Sequence, residues 1–296
     1  MYNSEHVSVL LNESIDALNI KNKGKYIDAT LGAAGHSCEI LARGGNVLGI
    51  DQDTSMLEVA KKNLEVACPP ANNGFSRFIL VHDNFSNIDS IASDNDFSPA
   101  DGILMDLGVS SLHFDSIERG FSFRKPEEIL DMRLNLDLGV TAADLLNSLD
   151  KKSLTDLFTL ACSQNQAWKL SQKVIKAREH KRFETVGDFI DLFGRKITKT
   201  HPATKPMMAL RMAVNSELAV LEEALPKAFD ILSNQGRLVV ISFHSGEDKI
   251  TKQFFKEKEF SGEGTIITKM PIVPTESELS KNIRSRSAKM RVIEKV

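Results

Sequence analysis

The segment from Tyr26 to Asp53, YIDATLGAAGHSCEILARGGNVLGIDQD, decides the predicted fold. Short apolar runs near its two ends predict buried strands, and the residues between them predict a glycine-bearing turn followed by a helix. A helix that begins directly after a glycine turn presents backbone N–H groups to an anion. Asp51, at the end of the second strand, can bind the two hydroxyls of a ribose. The segment favours a site for a nucleoside-bearing cofactor, although an ordinary βαβ unit without a ligand fits the same pattern.

Length and composition limit the class of protein. The chain has 296 residues, 42% of them hydrophobic, and a formal net charge of −3. These values predict a globular protein of about two domains. No apolar run approaches the roughly 20 residues of a membrane span, and the N-terminus carries no export or import signal. The three cysteines, Cys38, Cys68 and Cys162, share no C-x-x-C spacing. We therefore expect a reducing, cytoplasmic location without a membrane partner, a disulfide or a zinc cluster.

Strands continue to alternate with helices beyond Asp51. This alternation predicts an α/β fold with a mostly parallel, doubly wound sheet. Ligands bind such sheets beyond the carboxyl ends of the strands. A single acidic strand end carries little information because Asp is common in caps and turns, but here four successive predicted strands end on Asp28, Asp51, Asp83 and Asp106. The series favours a polar rim that faces a cofactor.

The sequence after the fourth strand interrupts this alternation. Residues 110–133 show no clean period, which is typical of a functional loop or of a packing loop. Residues 141–200 then become helical, and capping-box patterns predict helix starts at Thr141, Ser153 and Thr185. This stretch therefore predicts a helical domain inserted into the sheet domain.

The inserted stretch is locally basic. Between Trp168 and Arg211 it contains eleven Lys or Arg residues and four acidic residues, in a chain that is negative overall. Such a surface suits a phosphate backbone, although a solvated helix face produces the same pattern. We predict a first part of the sheet domain at residues 1–110, an inserted substrate-recognition domain at 111–200, and the second part of the sheet domain at 201–296.

The last third of the chain returns to the sheet. Apolar residues from Met207 to Leu225 form one stripe, which predicts a single long helix that stops before Pro226. A fifth strand ends at Phe243, so His244 lies at its carboxyl end. The alternation in the C-terminal tail predicts a last strand at the edge of the sheet.

Several polar residues of this region are candidates for contacts outside the core. Asn215 lies off the apolar stripe and could face a ligand. Ser245 begins a capping-box pattern for the next helix. Arg284 and Arg286 precede the last strand and could hold phosphates, with solvated terminal charge as the alternative.

Nine segments, taken in order, resemble the family of ribosomal small-subunit RNA cytosine-N4 methyltransferases. They are HVSVLLNESI, DATLGAAGHS, GIDQD, DGILMDLGVSS, ERGFSF, LDMR, HPATKPMMALRMAVNSEL, GRLVVISFHSGED and RSRSAKMRV. The resemblance covers nearly the whole chain. It implies a class I, Rossmann-like methyltransferase with an inserted all-helical domain and S-adenosyl-L-methionine as cofactor. The implied reaction is methylation of N4 of one cytosine in the decoding centre of 16S ribosomal RNA, within the small ribosomal subunit. We also expect that the protein could form a homodimer.

The resemblance implies roles for individual residues. The cofactor contacts carried over from the family are Ala34, Gly35, His36, Asp51, Phe85, Asp106 and His113. Our catalytic candidates are Asp106 and His244, for which cofactor binding and helix capping, respectively, are the alternatives. Our candidates for RNA contacts are Arg211, Asn215, Arg284 and Arg286. We expect no metal site.

The sequence departs from the family at several positions. Ala33 and Ala34 replace the usual residues of the G-x-G-G-H turn. The other departures are Gln52, His113, residues 162–165 and Gly246. If Ala34 adopts a left-handed conformation, the strain is about 1–2 kcal/mol, which corresponds to a loss of roughly tenfold in cofactor affinity.

Two other functions fit parts of the sequence. One is a methyltransferase of the same fold with another substrate, such as a protein. The other is a non-catalytic RNA-binding or ribosome-assembly protein with a degenerate cofactor turn, which Ala33 and Ala34 favour and which the intact positions Asp51, Phe85 and Asp106 disfavour.

Overall fold

The computed structural model describes residues 8–67, 77–109, 118–194 and 201–296. The chain divides into two compact units, which are described separately. The sheet unit comprises Met1–Val109 and Leu218–Val296, and the inserted unit comprises Ser110–Glu217.

The described strands of the sheet unit form one sheet. In chain order they are β1 (Lys25–Asp28), β2 (Asn46–Asp51), β3 (Phe78–His82), β4 (Ala100–Asp106), β5 (Leu232–Ser242), β6 (Gly264–Ile266) and β7 (Lys289–Lys295). Their order in space is β3-β2-β1-β4-β5-β7-β6. The pairs among β1 to β5 are parallel, whereas β7 is antiparallel to both β5 and β6. The predicted α/β fold with a mostly parallel sheet is confirmed.

The position of the last strand differs from the prediction. We expected an edge strand, but β7 lies between β5 and β6, and Met290, Val292 and Ile293 are buried. The reason is β6, a strand of three residues that is too short to give a clear sequence signal and that covers the outer side of β7.

The helices alternate with these strands and fill the inserted unit. In chain order the described α-helices are α1 (Leu11–Leu18), α2 (Gly35–Ala42), α3 (Thr54–Ala67), α4 (Ile88–Asp94), α5 (Ala142–Ser148), α6 (Lys151–Thr159), α7 (Gln164–Arg178), α8 (Val186–Ile190), α9 (Thr204–Val214), α10 (Glu217–Asp230), α11 (Ser245–Phe260) and α12 (Glu276–Lys281). Short 3₁₀ helices cover Phe85–Asn87, Asp191–Phe193 and Ile283–Ser287. None of the helices in the described ranges has the length and apolarity needed to cross a bilayer.

The sheet is covered on both faces, as a doubly wound fold requires. Alternate residues of the strands point to opposite faces. On one face, Ile103 and Val240 pack with residues of α4 and α10. On the other, Leu104 and Val239 pack with residues of α1, α2 and α3. This double coverage explains why β1, β2 and β4 are almost continuously apolar between their ends.

The inserted unit has its own core and extends further than we expected. Phe158, Val174 and Phe189 pack there with Met207 and Leu210 of α9. Our second boundary at residue 200 therefore falls too early, because α9 buries its apolar stripe in this core and the unit ends at Glu217.

The long helix predicted between Met207 and Leu225 is two helices. Helix α9 ends at Val214, Ser216 takes a left-handed conformation with φ of 50°, and α10 then continues through Pro226. An apolar stripe shows which positions are buried, but it does not show a two-residue break between consecutive helices.

Two of the three predicted helix caps are confirmed. Thr141 and Thr185 each form a complete capping box with an Asp three residues later. At the third, Asp150 is the cap and accepts a hydrogen bond from Ser153 N at 2.7 Å. Ser153 therefore lies inside α6, because an Asp three residues upstream offers the same kind of oxygen.

Candidate active site

Three acidic side chains lie at one edge of the sheet. Asp28, Asp51 and Asp106 are the last residues of β1, β2 and β4, which are adjacent and parallel. Parallel strands present their carboxyl ends at the same edge, so the topology brings the three acids together. Asp83 follows β3 directly and continues the series.

The turn between β1 and α2 has the strained form considered in the sequence analysis. Gly32 and Ala34 have φ values of 50° and 66°. Ala34 is buried and precedes α2, and its N–H donates to Leu31 O at 2.8 Å. Ala34 therefore bears a left-handed conformation that glycine would adopt without strain. Gly35 begins α2 so close to Ser8 that an added Cβ would overlap Ser8 Oγ.

This close approach gives a first prediction. Gly35→Ala should lower the free energy of unfolding by about 1–3 kcal/mol, because the new methyl group has no room beside Ser8. In a Ser8→Ala background the cost should be clearly smaller, since the overlapping oxygen is gone. Urea denaturation of the two single variants and the double variant measures this coupling. Additive effects of the two substitutions would show that the contact is not what requires glycine at this position.

Asp51 is held in a fixed orientation beyond the end of β2. One carboxylate oxygen accepts a hydrogen bond from Gly32 N at 2.8 Å, and the other accepts one from Asp53 N at 2.9 Å. The side chain is half-buried. A carboxylate oxygen can accept more than one hydrogen bond. These contacts therefore orient the group and leave it able to accept further hydrogen bonds.

Asp106 is the least satisfied acid of the site. Its backbone N–H donates to Thr30 Oγ1 at 2.6 Å. One carboxylate oxygen, Oδ2, lies 3.9 Å from His36 Nδ1. The other, Oδ1, is buried and finds no hydrogen-bond partner within the described residues. A buried oxygen in this state is costly, which is a common property of groups that a ligand completes.

Burial and neighbouring charge change the protonation of this edge. Burial, followed by the negative charge of Asp28, raises the pKa of Asp106 to about 8. Burial also raises the pKa of Asp28 to about 6, although Ser37 Oγ donates to its carboxylate at 2.6 Å. Near pH 7, therefore, the Asp106 carboxyl is largely protonated and can both donate and accept a hydrogen bond.

His36 is buried and anchored within the sheet unit. Its Nε2 lies 3.1 Å from Val9 O. A carbonyl only accepts, so this contact assigns a hydrogen to Nε2, and Nδ1 lies on the side of Asp106. The position is compatible with the expected cofactor contact, which stays a prediction.

The segment after β3 carries Phe85. This residue begins a 3₁₀ helix and packs against the core. Asn84 caps that helix by accepting from Ser86 N at 2.9 Å, and its amide donates to Gln52 Oε1 at 3.1 Å. Gln52, one of the departures from the family, therefore links the ends of β2 and β3. His113 lies outside the described residues.

His244 caps a helix. Its Nδ1 accepts from Glu247 N at 3.3 Å, and the buried Glu247 carboxylate accepts from Phe243 N at 2.7 Å. We predicted that the capping box begins at Ser245, but it begins one residue earlier, at His244. His244 Nε2 lies 3.0 Å from Glu247 Oε1. The capping alternative for His244 is thus observed, and its contact with a base stays a prediction.

The candidate RNA contacts have different surroundings. In the inserted unit, Arg211 forms a two-point ion pair with Glu217, at 2.7 and 2.8 Å. Asn215 is buried, and its amide accepts from Leu134 N and donates to Met132 O, both at 2.8 Å. These contacts give Asn215 a structural role, and its contact with RNA stays a prediction. Its position off the apolar stripe did not indicate that its side chain hydrogen-bonds to the backbone of the segment at 132–134.

In the sheet unit, Arg284 and Arg286 are exposed on the 3₁₀ helix Ile283–Ser287. Two positions that the sequence analysis did not single out also contribute to the site. They are Thr30, which holds the backbone of Asp106, and Ser37, which holds Asp28. Both are small hydroxyl residues of a turn and a helix, and nothing in their local pattern distinguishes them from caps.

Comparison with known proteins gives consistent matches over the whole length. The MraW methylase family matches residues 3–296. The chain is 39% identical to ribosomal RNA small subunit methyltransferase H of Clostridium botulinum (strain Loch Maree / Type A3), over 99% of both chains. It is 42% identical to the protein of the same name from Bacteroides fragilis (strain YCH46), over 98% of this chain and 97% of that one. Among solved structures, an rRNA methylase from Streptococcus thermophilus is 13% identical, with a TM-score of 0.46 and 98% of each chain covered.

Proposed function

Since the chain belongs to the MraW methylase family, we propose that it is an S-adenosyl-L-methionine-dependent methyltransferase of 16S ribosomal RNA, and that its target is N4 of a cytosine in the decoding centre. The observation that carries the proposal is the set of polar groups at one sheet edge: the backbone N–H groups at the start of α2, the oriented carboxylate of Asp51, and Asp106 Oδ1, which has no hydrogen-bond partner among the described residues.

These residues fit the cofactor. Asp51, fixed by Gly32 N, is suited to the ribose hydroxyls. The first turn of α2, with Gly35 and His36, is suited to a carboxylate, because helix N-termini favour negative charge. Phe85 would lie against the adenine. When bound, S-adenosyl-L-methionine supplies a methyl group that its positively charged sulfur already activates.

The chain then has to position a weak nucleophile. Cytosine N4 is a weak nucleophile because its lone pair is delocalised into the ring. The base must also leave any stack and enter a pocket, because N4 cannot otherwise reach the methyl group. We assign Asp106 Oδ1 as an acceptor for one N4 hydrogen, because this oxygen is buried and unsatisfied at the strand end. Holding that hydrogen fixes the amino group and orients its lone pair. His244, at the end of β5, is the second candidate for contact with the base.

The role of Asp51 gives a second prediction. Asp51→Asn should weaken S-adenosyl-L-methionine binding by about 10- to 100-fold, because charge-assisted hydrogen bonds are replaced by weaker neutral ones. The asparagine oxygen can still accept from Gly32 N, so the turn is retained. Isothermal titration calorimetry measures the affinity, and Asp94→Asn, an exposed acid at the end of α4, is the control. An affinity that matches that of the control would refute the assignment.

The function itself is tested on isolated small ribosomal subunits from cells that lack this gene. We expect the protein and S-adenosyl-L-methionine to add one methyl group to a cytosine of the 16S RNA, detected by mass analysis of nuclease fragments. Methyl transfer into a protein would favour the first alternative function. Absence of S-adenosyl-L-methionine binding would favour a non-catalytic RNA-binding protein.

The setting of the reaction is part of the proposal. We propose 16S ribosomal RNA within the small ribosomal subunit as the substrate, and Arg211, Arg284 and Arg286 as RNA contacts. A cytoplasmic location is also proposed, because the three cysteines are odd in number and share no C-x-x-C spacing. A homodimer is also proposed, and light scattering of the purified protein tests it.

A further inference from the structure

The outward face of α11 carries a stripe of lysines that the proposed active site does not use. Lys249, Lys252 and Lys256 follow one another at spacings of three and four residues, so their side chains leave the helix on one face. All three are exposed. They lie on an open, shallow part of the surface together with Gln253, Glu257 and Phe260. We call these three residues the lysine stripe.

The stripe is not neutralised by ion pairs. Within the described residues, none of its three lysines pairs with an acidic side chain. Lys258, on another side of the same helix, behaves differently. Its ammonium lies 2.7 Å from Glu263 and 5.0 Å from the centre of the Phe229 ring. The helix thus has one lysine used for packing and three whose charge faces outward.

None of the four acidic residues of α11 pairs with the lysine stripe within the described residues, and three of the four lie away from it, whereas Glu257 lies beside it. Glu247 is buried in the helix cap, and Asp248 pairs with Arg291 at 2.7 Å. Glu257 accepts from the Gln253 amide, and Glu259 accepts from a backbone N–H of β6. A solvated helix face usually intersperses both signs of charge and pairs them. Here the positive charges are grouped, and the acids of the same helix have other partners.

An aromatic ring lies at the end of the stripe. Phe260 is the last residue of α11 and is 96% exposed. It follows Lys249 by eleven residues, which is about three turns and roughly 16 Å along the same face. Cations combined with an exposed ring are the groups that bind single-stranded nucleic acid, because the cations hold phosphates and the ring stacks on a base.

We propose that the lysine stripe and Phe260 form a second RNA-binding surface, with the ammonium groups on backbone phosphates and the ring against an unpaired base. The proposal rests on the proposed RNA substrate. RNA is favoured over an anionic membrane because an interfacial helix needs a free apolar face. The apolar face of α11 is already used, since Phe255 and its neighbours Ile250 and Phe254 pack into the core of the sheet unit.

The test uses the full-length protein and 16S ribosomal RNA. We expect the triple variant Lys249→Gln, Lys252→Gln, Lys256→Gln to bind RNA at least tenfold more weakly at low salt. The slope of log K against log salt concentration should fall in magnitude by about 2–3, because each lost phosphate contact removes about 0.7–0.9. Phe260→Ala should weaken binding by about tenfold without changing the slope. The double variant Lys61→Gln, Lys62→Gln, on exposed positions of α3, is the matched control and should bind as the unmodified protein does.

The kinetic result separates this surface from the active site. The triple variant should raise KM for the small ribosomal subunit and leave kcat and the affinity for S-adenosyl-L-methionine unchanged. If the triple variant shows an unchanged salt slope, the proposal is wrong. It is also wrong if the triple variant retains RNA binding but loses a binding to phosphatidylserine vesicles that the unmodified protein shows. If the triple variant loses RNA binding although no RNA is methylated, the proposed function fails and this surface stands. If RNA is methylated with unchanged KM, the surface fails and the function stands.

Discussion

Replacing Asp106 with alanine is expected to lower kcat by about 100-fold or more and to change the affinity for S-adenosyl-L-methionine by less than about fivefold. The reason is the position of Oδ1, which is buried and unsatisfied at the end of β4. A group that orients the nucleophile acts mainly in the transition state, and loss of one such preorganised contact typically costs about 10²–10³ in rate. Single-turnover methylation of small subunits and calorimetric titration of the cofactor measure the two quantities separately.

The control lies on the same strand. Asp101 is at the amino end of β4, where it accepts from Lys25 N and pairs with Lys21, both at 3.0 Å. Asp101→Ala removes an acid from β4 away from the proposed site, so kcat should stay within about twofold of the unmodified protein. If Asp106→Ala loses cofactor affinity and turnover equally, Asp106 is a cofactor ligand and its assigned contact with the cytosine is wrong. The same pair of measurements on His244→Ala decides the role of that residue.

The parts of the fold with strong local signals were predictable. Helix α3 (Thr54–Ala67) is an example, because its apolar residues recur at regular helical spacing and two prolines follow it in the sequence. The acidic ends of β1, β2 and β4 were also predicted, since an Asp directly after an apolar run is a local feature. Parallel topology then brings these ends together without any further information.

The parts that depend on long-range packing were not predictable. The C-terminal strand β7 was predicted at the sheet edge because no local sequence pattern indicated β6. In the folded chain β6 pairs with the outer side of β7. Beside the break at Ser216, the Asn215 amide is held by the backbone at 132–134, more than eighty residues away in the sequence. A sequence pattern shows that Asn215 is polar, but its partner is visible only in the folded chain.

The chemical state of the site was likewise hidden in the sequence. Asp28, Asp51 and Asp106 look alike as strand ends, yet they have three different environments. Asp51 accepts two backbone N–H groups, Asp28 is buried with Ser37, and Asp106 has an oxygen with no described partner. Desolvation and mutual repulsion depend on distances among strands, so the sequence predicted the location of the acids but not their protonation.

The raised pKa of Asp106 predicts a stability that falls with rising pH. The folded protein holds this proton up to about pH 8, whereas the unfolded chain releases it near 3.8, the ordinary pKa of an aspartate side chain. Between these values the folded state binds more protons, so the free energy of unfolding decreases as pH increases, by up to about 1.4 kcal/mol per unit. Asp28 contributes in the same direction only up to about pH 6.

The window from pH 6 to 8 therefore isolates Asp106. In that window Asp106 should account for a loss of about 2 kcal/mol in the unmodified protein. Asp106→Asn cannot ionise, so its stability should decline less over the same range, while Asp101→Asn should follow the unmodified protein. Urea denaturation at pH 6, 7 and 8 measures the three slopes. Equal slopes for Asp106→Asn and the unmodified protein would mean that Asp106 is already ionised at pH 6, and the acceptor oxygen assigned to the cytosine would then belong to a charged group.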